Sequence, residues 1–227
     1  MLDTTAAMDE VLATLSGKTA SGAAVPRDVV ITDGPMLDVR VAGNPAIGRV
    51  HSATGSITLA VAVTSPQWAD FDTIEVFANQ TPTSPTDASA LVPLQCWTTR
   101  ANLAVTDPCM RATLPPANLT VQVRADPPGP RLEASRNLVV NLADIPRRAG
   151  ATGNDAWLVV RVRGDRGIFP LMSSSLLSDQ ALLDTALGGS AAELRAALAH
   201  KGAPAQALTA PIFVDFDGSG YRAPFAP

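Results

Sequence analysis

From Val29 onward the chain is dominated by a period of two. Val29 and Ile31 alternate with Val30 and Thr32 before the turn Asp33-Gly34-Pro35. Leu37, Val39 and Val41 alternate with Asp38 and Arg40, and Gly43-Asn44-Pro45 closes that run. Ile57, Leu59, Val61 and Val63 give the clearest strand, which ends at Ser65-Pro66. Further strands are expected at Ile74–Ala78, Leu119–Arg124, Leu138–Leu142, Leu158–Arg163 and Ile212–Val214. Alternation of this kind buries one face of each strand, and Pro, Gly and Asp punctuate the turns. The pattern predicts a mainly β fold, an antiparallel Ig-like β-sandwich.

Two stretches follow a helical period instead. Met8, Val11, Leu12 and Leu15 predict a helix over 4–16, capped by Asp3 or Thr4 and ended by Gly17. Near the C-terminus, 173–202 reads as a short helical insertion. It carries Leu182, Leu183 and Leu187, then a capping box at Ser190-Ala191-Ala192-Glu193. The division expected is a connector helix and linker over 1–26 and a β-sandwich domain over 27–227.

Composition narrows the function classes. Charged residues make up 17% of the 227, and the formal charge is −4. That balance argues against a phosphate-driven nucleic-acid binder. No apolar run reaches the ~18 residues of a membrane-spanning helix. Met1-Leu2-Asp3 opens without a basic n-region, so no signal peptide is expected in this chain.

Chemistry-bearing residues are few: two His, two Cys and one Tyr. The metal-protease, zinc-ribbon, nucleophile-elbow and phosphate-loop motifs are all missing. His51 follows a strand and His200 sits near a helix end, so neither is expected to be a ligand. Cys96 and Cys109 could bridge an excursion between them, which would favour an oxidising compartment outside the cytoplasm. Two buried free thiols are the alternative. Asp215-Phe216-Asp217-Gly218-Ser219-Gly220-Tyr221 resembles the first half of a calcium loop. Asp215, Asp217 and Ser219 would give side-chain oxygens and Tyr221 a backbone carbonyl. Ala226 stands where an EF-hand needs Glu, so a strand end with a Gly-rich turn is the simpler reading. Arg163-Gly164-Asp165 spells an adhesion tripeptide, which a strand and turn also explain. Arg161 and Arg163 share a strand face and read as a solvated surface. Trp157 is expected in the core, and Trp97 is the best candidate for an exposed sugar-binding ring.

Four segments, in order, resemble one family. They are Asp28–Leu37, Ser65–Asn79, Asp155–Val160 and Pro204–Gly218. Together they are similar to the C-terminal region of PHP-type metallohydrolases of the CehA/McbA kind. In that family a sandwich-like region follows a metal-binding catalytic domain. Ala210 departs from the family pattern, and the metal ligands of the catalytic domain have no counterpart here. The resemblance implies a non-catalytic accessory domain whose partner is a PHP-like catalytic domain or another protein surface. A free-standing cell-surface or assembly module that self-associates is the alternative. An independent metal-dependent hydrolase is the third reading.

Overall fold

Ile57, Leu59, Val61 and Val63 place their side chains on one side of an eleven-residue strand. That strand anchors one of two mostly antiparallel sheets. A computed structural model describes residues 29–67, 69–80, 91–126, 129–146, 154–167 and 204–224. The helix expected over 4–16, the insertion at 173–202, Trp68 and His200 lie outside the described residues.

The described strands are β1 (Val30–Thr32), β2 (Met36–Val41), β3 (Asn44–Pro45), β4 (Val50–Ser52), β5 (Ser56–Pro66), β6 (Thr73–Ala78) and β7 (Gln95–Thr98). They continue with β8 (Ala117–Asn118), β9 (Gln122–Arg124), β10 (Arg131–Asn141), β11 (Ala156–Gly167), β12 (Pro204–Thr209) and β13 (Ile212–Asp215). The five-stranded sheet runs β3-β2-β5-β10-β9. The eight-stranded sheet runs β1-β12-β11-β6-β7-β8, with β13 pairing both β11 and β4. Among the described residues the only helical turns are short 3-10 segments at Pro108–Arg111 and Leu142–Asp144.

One core draws on both sheets. β2 and β5 supply Leu37, Val39, Leu59 and Val61; β6 and β11 supply Ile74, Val76, Leu158 and Val160. Each such side chain contributes about 1.5–3 kcal/mol through burial. The strands expected from alternation are found, with one revision. Leu119–Val121 is not strand: it carries the chain from β8 in one sheet to β9 in the other, with Leu119 buried. β4, β7 and β12 lack a clean alternating run and join the eight-stranded sheet through their neighbours.

β6 breaks the half-exposed pattern. Ile74, Val76 and Ala78 face the core, yet the outward Thr73, Glu75 and Phe77 are buried as well. Arg163-Gly164-Asp165 lies inside β11 and does not form a turn. Gly164 is where the Asp70–Phe71 backbone crosses the strand. A Cβ there would collide with the Asp70 carbonyl oxygen and stand 3.2 Å from the Phe71 Cα. Gly164→Ala is therefore expected to cost about 1–3 kcal/mol, as overpacking does, read as a lower midpoint in chemical denaturation.

Candidate functional site

A single transverse row crosses the outer face of the eight-stranded sheet. Ile31 pairs Leu208, Leu208 pairs Arg161, Arg161 pairs Glu75, and Glu75 pairs Cys96. Exposure falls along the row, from 71% at Ile31 and 40% at Leu208 to 0% at Glu75 and Cys96. The chain between β7 and β8 returns to this end of the row: Cys109 meets Cys96, and Asp107 pairs with Arg163 at 2.7 Å. Thr113 and Leu114 then donate backbone N–H bonds to Pro93 and Leu94 at 2.9 Å each, alongside β7.

Glu75 is the charge at the centre. Its side chain is fully buried and takes Arg161 Nε at 2.6 Å and Arg163 Nε at 3.2 Å. Arg163 also donates to Asp107 at 2.7 Å, and Arg100 reaches Asp107 at 3.5 Å and Asp72 at 2.9 Å. The Arg161 guanidinium lies 4.9 Å from the Phe77 ring centre, within cation–π range. Burial works against the Arg163 charge, but the Glu75 and Asp107 carboxylates more than offset it, and its pKa is raised. Arg161 and Arg163 are thus not a solvated face: alternation turns them outward, and the buried carboxylate of β6 claims them.

Cys96 and Cys109 meet beside this cluster at disulfide distance, with Cα atoms 5.5 Å apart. Both are fully buried, Cys96 within β7 and Cys109 in the 3-10 turn that follows it. Asp107 caps the 3-10 turn by accepting the Cys109 N–H at 2.9 Å. The same carboxylate therefore positions the cysteine and pairs with Arg163. Glu75 and the two sulfurs lie within 4.8 Å of one another. That trio suits a metal poorly, because the sulfurs are joined and two guanidiniums neutralise the carboxylate.

The second polar constellation is the loop after β13. Asp215, Asp217 and Asp155 bring carboxylate oxygens within 4.8 Å of one another. Asp155, the residue just before β11, was not among the site residues expected from sequence. Asp215 accepts N–H bonds from Asp217 at 3.2 Å, Gly218 at 2.7 Å and Gly220 at 3.0 Å. Asp155 accepts from Phe216 at 3.4 Å and from the Arg222 N–H. Asp217 accepts the Ser219 N–H at 2.9 Å, and the Ser219 side chain, together with that bond, lowers the Asp217 pKa. The Tyr221 ring lies 4.8 Å from that of Phe213, tilted by 60°, and burial, then the Asp155 charge, raises its phenol pKa. Gly218 and Gly220 take positive φ, which glycine allows without strain.

The remaining candidates fall elsewhere. His51 lies within β4, facing Val214 of β13. Its Nε2 is buried without a hydrogen bond, and desolvation lowers its pKa. Trp97 is buried in the core, against the expectation of an exposed ring, because β7 lies between β6 and β8. Trp157 is half-buried on the outward side of β11. A groove of about 340 Å³ runs over the outer face of the five-stranded sheet, lined by Thr64, Gln122, Arg124, Glu133 and Arg136 among others. Its charges are engaged: Arg124 meets Glu133 at 3.3 Å, and Arg136 binds the Asn118 carbonyl at 2.9 Å.

The Cys96–Cys109 link closes a loop over the Glu75 cluster, across a sequence separation of 13. Reduction is expected to lower unfolding stability by about 3 kcal/mol, the entropic scale for a loop near this size. Urea denaturation with and without reductant reads the difference. Cys96→Ser/Cys109→Ser should show the same loss and no response to reductant.

Compared with known proteins, the chain matches no family model, no curated protein and no solved structure.

Proposed function

We propose that this chain is a non-catalytic interaction module of the Ig-like sandwich type, working outside the cytoplasm. In this reading it is an accessory domain for a metal-dependent hydrolase of the PHP type. The observation that carries it is where the reactive residues are spent. Glu75, Asp107, Asp155 and Asp215 are buried and bonded to guanidiniums or backbone N–H groups. Both cysteines are taken up with each other. Hydrolysis needs a nucleophile and base within reach of a substrate, or a metal holding a reactive water. Where a hydroxyl meets a carboxylate, as Thr73 meets Asp72 at 2.6 Å and Ser52 meets Asp215 at 3.5 Å, that carboxylate is already held by Arg100 or by backbone N–H groups. The partner assignment rests on the four segments that resemble the family, and the location on the cysteine pair.

On the same proposal Asp215–Tyr221 is a self-sufficient turn. The N–H donors already supply the positive partners that a calcium ion would otherwise give, although the oxygens retain further lone pairs.

The test has three readouts on the purified, dialysed chain. Chromogenic phosphodiester, ester and amide substrates with added zinc, manganese or iron should give no turnover. Titration calorimetry against a PHP-type catalytic domain of the resembling family should give saturable heat. Plasma mass spectrometry should find no stoichiometric metal. Turnover with bound zinc, iron or manganese would establish an enzyme instead. Stoichiometric calcium would restore the ion at Asp215, Asp217 and Ser219.

A further inference from the structure

β10 is the one long strand whose outer side is left largely open among the described residues. It pairs β5 along all eleven residues, from Arg131 to Asn141. On its other side β9 covers only Arg131–Glu133. The next stretch is plugged by a side chain. Arg136 donates to the Ser135 carbonyl at 2.9 Å, to Asn118 at 2.9 Å and to the Thr120 hydroxyl at 3.3 Å. That leaves Asn137-Leu138-Val139-Val140-Asn141 open.

The backbone of this segment is oriented for pairing. Just beyond it, Leu142 donates its N–H to Gly55 at 2.8 Å, on the β5 side. Antiparallel strands alternate the direction of their backbone groups. Even-numbered residues of β10 therefore bond β5, and Asn137, Val139 and Asn141 turn N–H and C=O to the open side. The Ser135 carbonyl, bound by Arg136 on that side, fits the same alternation. Other margins are blunted. β1, β3, β8 and β9 are two or three residues long, and β3 ends in Pro45. The unpaired part of β2 carries the exposed Asp38. Natural edges are protected by shortness, charge or proline; residues 137–141 have none of the three.

The segment is also complementary to itself. Laid antiparallel on a second copy about Val139, it sets Val139 against Val139, Leu138 against Val140, and Asn137 against Asn141. Val139 is 52% exposed on the outer face, so the two valines would meet at the centre. The geometry points to a two-fold dimer in which β10 of one protomer pairs β10 of another, joining two five-stranded sheets into one. About six backbone hydrogen bonds would form. A two-fold contact of this kind uses the same patch on both copies. It stands independently of the accessory-domain reading, since any partner could bind elsewhere.

Sedimentation equilibrium over about 1–500 µM tests it, a range set for a small, weak interface. The full chain should show a reversible monomer–dimer equilibrium. Val139→Lys and Val139→Glu should each weaken it at least tenfold, because like charges fall directly opposite. An equimolar mixture of the two should recover a heterodimer, which also shows that both variants fold. A wild-type chain monomeric throughout overturns the proposal, as does a dimer that Val139→Lys leaves unchanged. Exchange-protected Val139 amides in a monomer would also overturn it, by showing that the chain covers its own edge.

Discussion

A carboxylate buried in the middle of a strand sets the terms for one whole face of this protein. Glu75 is fully buried, with two arginines of the neighbouring strand on its oxygens. An isolated buried charge costs several kcal/mol, so it persists only where partners converge on it. Here the convergence reaches further. Arg163 links Glu75 to Asp107, Asp107 fixes the turn that carries Cys109, and Cys109 returns the chain to Cys96 beside Glu75. The cluster is closed: each member holds the geometry of the next.

That closure explains why β6 is buried on both faces although its sheet is mostly antiparallel. The inner face packs in the common core, and the outer face lies under a cover tethered by charge and by the cysteines. It also explains the gradient along the transverse row. The cover reaches the β6 and β7 end, while Ile31 and Leu208 at the β1 and β12 end stay exposed. The same logic operates in the loop after β13. There Asp155 and Asp215 organise backbone N–H groups, so a strand start and a strand end some 60 residues apart are fastened together.

The strands with clean alternation were legible in the sequence: β1, β2, β5, β6, β10 and β11 lie where the period of two puts them, and β13 lies at the apolar run Ile212–Val214. β7, with Trp97 in the core, was not, because four residues cannot display a period. The pairing of Arg161 and Arg163 with Glu75 was hidden for another reason. Register across strands decides it, and 86 and 88 residues separate the partners. Glu in the apolar run Thr-Ile-Glu-Val-Phe-Ala was the available signal, since a charge there is solvated or paired. Asp155 was equally invisible beside Asp215, because only the β11–β13 pairing brings them together.

The central claim is that Glu75 and Arg163 act as one unit within a structural network. A double-mutant cycle measures this directly, using Glu75→Gln, Arg163→Met and the pair, each unfolded in urea. The account predicts non-additivity of at least about 1 kcal/mol, with the double variant losing less than the two single losses combined. Additivity to within about 0.3 kcal/mol would contradict it, and Glu75 would then be a buried carboxylate that Arg163 does not support.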